Sequence, residues 1–243
     1  MAAPVVSFLG IEVQVTTPLQ AVETVLTSPS SAGRAFHLAN SYTMVLANQE
    51  PQLREVLSAD IVLCDGVPLA RALTKQNSLM ESVRGPSLMK DVLAASSEEQ
   101  KHFLLGGSPE TLKQLVANIA VEYPDAVIAG VHSPEYSPNW SDRIGEWVEL
   151  IQTSGATIVW VGLGTPKQDY VVHELALKCD VTAMAVGAAF DFIAGTQPEA
   201  PKFLQGTGFE WVYRLLKEPR RLWKRYLVGN VQFLILVARE RFR

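Results

Sequence analysis

The chain has 243 residues, of which 48% are hydrophobic and 19% charged, and its formal net charge is −4. A chain of this length can form one sizeable α/β domain with a buried core, or such a domain with an appendage. Cys64 and Cys179 form neither a CxxC motif nor a disulfide framework. No run reaches the roughly 18 apolar residues of a membrane-spanning helix. We therefore expect a protein of the reducing cytoplasm.

Short apolar runs alternate with longer amphipathic runs along the chain. The short runs predict strands at 5–9, 35–39, 60–64, 102–106, 126–131, 157–162 and 182–187. The first of these runs is expected to be a strand and not a signal peptide. The amphipathic runs predict helices over 18–28, 41–58, 66–75, 86–97, 109–122, 140–153, 166–178 and 208–236. This alternation is typical of a mainly parallel sheet with helices on both faces. Ligands bind such sheets beyond the carboxyl ends of the strands, so we expect functional residues in the strand-to-helix turns.

The turn after the strand at 60–64 carries Asp65 and Gly66. In one interpretation Asp65 caps the following helix. In the other it lies in a cleft at the edge of the sheet and accepts a proton from a substrate hydroxyl, as a general base does.

Two further turns are rich in glycine. Backbone N–H groups at Gly106 and Gly107 could hold a phosphate or carboxylate, although an ordinary tight turn has the same residues. The second turn contains Gly162 and Gly164, but Lys167 stands where the GxGxxG motif requires a third glycine. A dinucleotide fingerprint is therefore absent.

Asp191 is a single acidic residue within an apolar stretch. Because an unpaired buried carboxylate is costly, it is expected either to cap a structural element or to bind the hydroxyls of a ribose or another sugar. The four histidines lack metal-ligand spacing and the chain has no GxSxG motif, so we expect no metal site and no nucleophilic triad.

Charge is distributed unevenly along the chain. From Lys202 onward, ten Lys/Arg residues face three acids, a net charge of +7, whereas the first 201 residues carry −11. Trp211, Leu215, Leu222 and Tyr226 recur at helical spacing in this basic tail. Such a pattern is typical of a helix on an anionic membrane surface. The interleaved aliphatic residues favour lipid over nucleic acid, so no nucleic-acid partner is expected.

Several segments together carry a resemblance to a known family. They are LANSYTMVLA, ADIVLCDGVPLARAL, RGPSLM, FLLGGSPE, VGLGTPKQD and GAAFDFIAGTQPEAPKFLQGTGFEWVYRLLKEPRRLWKRYL. Over residues 36–227 the chain resembles the WecG/TagA/CpsF family of bacterial glycosyltransferases, and the last segment is the most specific.

The resemblance implies a Rossmann-like α/β body, residues 1–205, and a basic amphipathic appendage, residues 206–243, that docks on the membrane and closes the active site. Members transfer a sugar, often of the N-acetylmannosamine type, from a UDP-sugar to a polyprenyl-diphosphate-linked sugar in cell-surface polysaccharide or teichoic acid synthesis. They invert the anomeric centre and need no metal or other cofactor. The implied partners are the UDP-sugar donor, the lipid-linked acceptor and the anionic inner face of the cell membrane, and a homo-oligomer is compatible with them.

The resemblance also assigns roles to individual residues. Asp65 corresponds to the catalytic base. Arg214, Arg221 and one of Lys224 and Arg225 correspond to tail cations that close over the diphosphate of the leaving group. The residues expected to bind substrate are Asn40, Gly66, Arg84, Gly106, Gly107, Tyr136, Gly164, Lys167, Gln168 and Asp191.

The chain departs from the family pattern at several positions. Leu38 stands where many members have threonine, Asp169 replaces a glutamate, and Glu135-Tyr136 stands where glycine-tyrosine-phenylalanine is usual. Ser82 stands where an arginine is usual, with Arg84 two positions later. These changes affect the expected identity of the donor sugar more than the expected type of reaction.

Two other functions stay open. A nucleotide-dependent oxidoreductase on the same fold predicts nicotinamide binding and is disfavoured by the missing glycine. A non-catalytic membrane adaptor predicts vesicle binding without UDP binding, whereas the enzyme requires both.

Overall fold

A computed structural model describes residues 3–27, 32–74, 77, 79–135, 137 and 139–241. Tyr136, expected above to bind substrate, lies outside these residues. The described chain forms two compact units. Unit 1 comprises Met1–Pro18, Leu38–Arg84 and Glu199–Arg243, and unit 2 comprises Leu19–His37 and Gly85–Pro198. The functional division into a body and an appendage at residue 206 stays a prediction.

Strands in the described residues confirm the seven predicted ones to within two residues at each end and add an eighth. They are β1 (Val5–Phe8), β2 (Ile11–Gln14), β3 (Arg34–Ala39), β4 (Ile61–Cys64), β5 (Lys101–Gly106), β6 (Val127–His132), β7 (Ile158–Gly162) and β8 (Thr182–Ala185). The additional strand is β2, which buries Ile11 and Val13 and exposes Glu12.

Helices occupy all the predicted ranges, with two changes of pattern. They are α1 (Pro18–Leu26), α2 (Ser41–Gln49), α3 (Pro51–Ala59), α4 (Val67–Thr74), α5 (Gly85–Ala95), α6 (Pro109–Glu122), α7 (Ile144–Ser154), α8 (Lys167–Lys178), α9 (Ala189–Ala194), α10 (Glu210–Lys217), α11 (Pro219–Trp223) and α12 (Gly229–Arg241). The single helix predicted over 41–58 is two helices, because Pro51 has no N–H to continue α2 and begins α3 instead. Pro219 interrupts the tail in the same way, and a π-helical turn at Lys224–Val228 joins α11 to α12.

Unit 1 is built on β1, β2 and β4. β1 pairs antiparallel with β2, and β2 pairs parallel with β4, with Val13 opposite Val62. The tail contributes to the core of this unit, since Leu222, Phe233 and Leu236 are buried. The ring centroids of Phe8 and Phe233 lie 5.8 Å apart, and α12 packs on α2.

Unit 2 contains parallel strands in the order β3-β8-β7-β5-β6. Their register places Val159 opposite Ala183 and Leu104 opposite Trp160. The core on one side includes Trp147, Val161 and Val172. The expected fold class, a Rossmann-like α/β protein with a mainly parallel sheet and a C-terminal helical segment, is therefore confirmed. None of the helices in the described part of the chain is both long and apolar enough to cross a membrane.

Candidate functional site

A cleft in unit 1 opens at the carboxyl end of β4. One wall comes from the turns before α2 and α4, with Asn40, Asp65 and Gly66. The other comes from the tail, which contributes side chains of α10, the π-helical turn and α12. These are Glu210, Trp211, Arg214, Tyr226 and Asn230. The tail thus completes a cleft that contains the predicted base.

Asp65 follows β4 directly, and its backbone N–H donates to the carbonyl of Ala39 at 2.7 Å. Its side chain keeps partial access to solvent. Burial among protein atoms raises the pKa of this carboxyl from 3.8 to about 6. Arg84, Arg225 and Arg214 lower the pKa and Glu210 raises it, so burial outweighs the nearby cations. A carboxylate with such a pKa suits general-base chemistry near neutral pH.

Gly66 has a left-handed backbone conformation, φ 88°, which favours glycine. Its N–H donates to Ser82 Oγ at 2.7 Å. Ser82, which stands where the family usually has arginine, therefore helps to hold the Asp65–Gly66 turn.

Asn40 is the N-cap of α2. Its Oδ1 accepts from the N–H groups of Tyr42 at 3.0 Å and Thr43 at 3.3 Å, and Thr43 Oγ1 accepts from the Asn40 N–H. Because Oδ1 serves the cap, contact with a ligand would come through the Nδ2 amide group, a donor.

The Arg84 guanidinium is bound by three side chains. Nη2 lies 2.9 Å from Glu199 Oε1, Nε lies 3.0 Å from Glu210 Oε1, and Nη1 donates to Gln205 Oε1 at 3.2 Å. Glu210 also accepts from the Gly206 N–H at 2.8 Å. Arg84 therefore fastens the start of the tail. Its expected role in binding substrate stays a prediction.

The structure separates the four tail cations expected at the site. Arg214 lines the cleft, and both Arg214 and Arg225 lie close enough to Asp65 to affect its pKa. Arg221 is exposed and pairs with Glu218, with Nε and Oε2 2.6 Å apart. Lys224 is exposed and lies over the Trp223 ring, 5.6 Å from its centroid. Of the pair Lys224 and Arg225, it is thus Arg225 that lies on the side of Asp65.

Arg225 is held between two aromatic rings. Its guanidinium carbon lies 5.1 Å from the centroid of Tyr42 and 5.8 Å from that of Tyr226. Its Nε is buried and has no hydrogen-bond partner among the described residues. Burial lowers the pKa of this guanidinium from its usual value. A buried donor without a partner is costly, and an anionic ligand would satisfy it.

The two glycine turns and α9 come together in unit 2. A Cβ on Gly106 would lie 2.5 Å from Gly162 O, and one on Gly162 would lie 2.9 Å from a ring carbon of Phe190. Phe190 also packs beside Gly107. These turns follow β5, β7 and β8, so the residues expected to bind the donor share one edge of this sheet. The short contacts explain why Gly106 and Gly162 have no side chain.

Gln168 shapes the second glycine turn. Its buried side chain accepts from the Gly164 N–H at 3.0 Å, and a Cβ on Gly187 would lie 3.7 Å from its Nε2. Lys167, the first residue of α8, has its pKa lowered by burial. Asp191 is partly exposed and accepts from Thr196 Oγ1 at 3.3 Å. Binding roles for these side chains stay predictions.

Asp169 lies in the core of unit 2. Its Oδ1 is 3.0 Å from His37 Nδ1, and both residues are buried. The aspartate that replaces the family's glutamate therefore joins the first turn of α8 to β3.

Sequence reasoning missed Trp211, Tyr226, Asn230 and Glu210 as cleft residues. It placed Trp211 and Tyr226 on an amphipathic stripe, and Asn230 signalled only an interruption of the apolar run. In the described residues, no group of three or more His, Cys, Asp or Glu side chains could hold a metal ion.

The model of the "Glycosyl transferase WecG/TagA/CpsF family" matches residues 6–243, nearly the whole chain.

Proposed function

Because the chain belongs to the WecG/TagA/CpsF family of glycosyl transferases, we propose that it moves a sugar from a UDP-sugar to a polyprenyl-diphosphate-linked sugar, with inversion and without a metal ion. The sugar is an N-acetylmannosamine-type or related hexose. The product enters cell-surface polysaccharide or teichoic acid synthesis. Family membership favours this reaction over an oxidoreductase or a membrane adaptor.

One observation carries the proposal: a carboxylate at a strand end, with a pKa of about 6, lies in a cleft beside two arginines of the tail. A carboxylate placed only to cap a helix would keep a low pKa. The combination of a base with nearby cations suits a reaction that removes a proton and releases a diphosphate.

In the proposed step, Asp65 accepts the proton of the acceptor hydroxyl. The hydroxyl oxygen attacks the anomeric carbon of the donor sugar from the face opposite UDP. A bond forms between this oxygen and the anomeric carbon, and the bond from that carbon to the β-phosphate oxygen breaks. The electron pair of that bond leaves with UDP. Because the attack comes from the face opposite the leaving group, the anomeric configuration inverts.

Arg214 and Arg225 supply positive charge for the diphosphate. Arginine donates to phosphate oxygens in a planar fork and stays charged throughout. The buried Arg225 Nε, which has no partner among the described residues, supports this role, since an anion would satisfy it.

For the donor nucleotide we propose the turns of unit 2 that contain Gly106, Gly107, Gly164, Gln168 and Asp191. They follow neighbouring parallel strands at the sheet edge where such folds bind ligands. Their glycines leave backbone N–H groups open to close approach by phosphate.

For the lipid-linked acceptor we propose that the tail docks on an anionic membrane surface. Exposed apolar side chains recur along it, among them Trp223, Leu227, Val231 and Leu234. Cations stand beside them, which suits a surface of anionic headgroups. The proposed location is therefore the inner face of the cell membrane.

The test is a screen of UDP-sugars with a short-chain polyprenyl-diphosphoryl sugar, measuring UDP release. The proposal predicts release that depends on both substrates. A purified, folded protein that releases no UDP with any pair, or that binds nicotinamide nucleotides and not UDP, would overturn it. Vesicle binding without UDP binding would favour the adaptor.

A further inference from the structure

We propose that Trp211, Tyr226 and Asn230 form a subsite that binds the pyranose ring of the acceptor, so that the tail selects the acceptor sugar. This assignment rests on the proposed transferase function and deepens it. It concerns three residues to which neither the family resemblance nor the glycine turns assign a role.

Two aromatic side chains of the tail meet at the cleft. The ring centroids of Trp211 and Tyr226 lie 5.9 Å apart, with 47° between the ring planes. Both side chains line the cleft and neither is fully buried. They therefore present partly accessible aromatic surface to whatever occupies it. A pyranose ring has an apolar C–H face, which packs against such surface, and hydroxyls that need polar partners.

Polar partners lie in the same cleft. Asn230 follows Tyr226 by four residues, and both line the cleft. It stands in a segment that is otherwise largely aliphatic, YLVGNVQFLILVA. Its amide can both donate and accept, as sugar hydroxyls require. Asn40 also lines the cleft, and because its Oδ1 serves the cap, its Nδ2 remains as a possible donor.

The position of Asp65 decides between the acceptor and the donor. A general base must reach the hydroxyl whose proton it accepts, and this hydroxyl belongs to the acceptor. Trp211, Tyr226 and Asn230 line the same cleft as Asp65. An acceptor that places its hydroxyl on Asp65 therefore lies in the cleft that these three residues line.

The charge of the cleft wall supports a sugar at this point. The Arg84 guanidinium is bound by the carboxylates of Glu199 and Glu210, so it is neutralised within the protein. Glu210 and Asp65 both line the cleft. Both carboxylates can accept hydrogen bonds from the hydroxyls of a sugar.

The test compares Trp211→Ala and Asn230→Ala with two matched controls on the tail. The first control is Phe203→Ala, because Phe203 is 76% exposed and is not among the cleft residues. The second is Gln232→Ala, an amide on the same helix, α12, that does not line the cleft. A water-soluble short-chain polyprenyl-diphosphoryl sugar serves as acceptor, so membrane docking does not enter the measurement.

We expect each cleft variant to raise the KM for the acceptor by about tenfold or more. The KM for the UDP-sugar and the calorimetric Kd of UDP should stay unchanged, and both controls should match the wild type. Trp211→Phe, which keeps a ring, should recover most of the acceptor affinity. A merely structural role would instead lower the thermal midpoint and kcat without a selective change in the acceptor KM.

Two failures are distinguishable. If the wild type releases UDP but Trp211→Ala and Asn230→Ala keep its acceptor KM, or raise the donor KM equally, the subsite assignment is overturned and the transferase function stands. If the wild type releases no UDP with any donor and acceptor, the transferase function is overturned and the assignment with it. If Trp211→Ala fails to fold, Asn230→Ala still tests the subsite, because Asn230 is not a core residue.

Discussion

Arg84 and Glu210 form an ion pair in which Nε and Oε1 lie 3.0 Å apart. Arg84 directly precedes α5, and Glu210 is the first residue of α10, the helix that carries Arg214. The side chains are 15% and 26% exposed, so water screens the pair only in part. This contact holds the start of the tail beside the turn that carries Asp65.

Replacing Arg84 by alanine should loosen the tail. Glu199 and Glu210 would lose their common partner while still partly buried. We expect the free energy of unfolding to fall by about 1–3 kcal/mol. The measurement is urea unfolding, together with limited proteolysis at 199–210. Arg84→Lys should recover part of the loss, since lysine keeps the charge but not the planar fork.

Arg143→Ala is the matched control, since its pair with Glu146 has side chains 40% and 46% exposed. Such surface pairs contribute little, so we expect a clearly smaller loss of stability than in the Arg84 variant. Equal losses in the Arg84 and Arg143 variants, with unchanged proteolysis, would contradict the fastening role.

His102 should make the protein less stable in mild acid. Its Nδ1 accepts from Trp160 Nε1 at 3.1 Å, which leaves the proton on Nε2, 3.0 Å from Ser96 Oγ. Burial lowers the pKa of His102 from 6.5 to about 4. Between pH 6.5 and 4 the unfolded chain binds a proton that the folded chain does not. Stability therefore falls as the pH falls, by up to about 3 kcal/mol.

The measurement is the free energy of unfolding at several pH values between 4 and 7. Comparison with His102→Leu isolates this contribution from that of Asp65, whose raised pKa has the opposite sign. The variant will be less stable overall, because Trp160 and Ser96 lose their partner, but its pH slope should be shallower. An identical slope in wild type and variant would count against the prediction.

The proposed donor site predicts weaker UDP binding in Gln168→Ala and Asp191→Ala. Loss of Gln168 removes the acceptor of the Gly164 N–H and lets the glycine turn relax. Each variant should raise the calorimetric Kd of UDP by about fivefold or more, without acceptor or membrane. Gln152→Ala, an exposed glutamine of unit 2, should bind UDP as the wild type does. Unchanged affinity in both site variants would move the donor site elsewhere.

The proposed membrane surface predicts a selective loss in the double variant Val231→Asp, Leu234→Asp. These side chains are 58% and 66% exposed, so the change should leave the fold intact. Removing two apolar side chains and adding two negative charges should weaken binding to anionic vesicles at least about tenfold. Leu177→Asp on α8 is the control, since Leu177 is 68% exposed. Equal loss in both proteins would mean that binding does not depend on this face of the tail.

The strands were predictable because each is a short apolar run bounded by turn residues. β2 was missed because it has only four residues and alternates around the charged Glu12. The break between α2 and α3 could have been predicted, because Pro51 has no N–H to continue a helix. The apolar periodicity across residues 41–58 instead indicates one helix. The helix α9 was also missed, because it has only six residues and lies in a largely apolar stretch, where periodicity gives no signal.

Part of the candidate site follows from local chemistry and part does not. Asp65 was identified because a strand end and a turn are local features. The role of Arg84 as a partner of Glu199 and Glu210 depends on contacts more than a hundred residues apart in the chain. The position of Asn230 depends likewise on how α12 packs against α2, and those of Trp211 and Tyr226 depend on how the rest of the tail folds over the cleft. The sequence shows which residues are cationic, but only this packing separates Arg225 from Lys224.

Asp65→Asn tests the central claim, that Asp65 is the base of a UDP-sugar transferase. Asparagine keeps the shape but accepts no proton. Burial raises the folded pKa of Asp65 from 3.8 to about 6, so the carboxyl lowers stability progressively as the pH rises between these values, and the full cost remains at higher pH. The variant should therefore be at least as stable as the wild type at pH 7, and lost activity could not be attributed to unfolding.

The decisive measurement is the rate of UDP release by wild type and Asp65→Asn with a short-chain acceptor, between pH 5 and 8. The wild-type rate should fall as the pH drops below about 6, because the base becomes protonated. The variant should lose roughly 10²–10⁴-fold at pH 7, with an unchanged calorimetric Kd for UDP. Near wild-type turnover in Asp65→Asn, with UDP binding intact, would contradict the account.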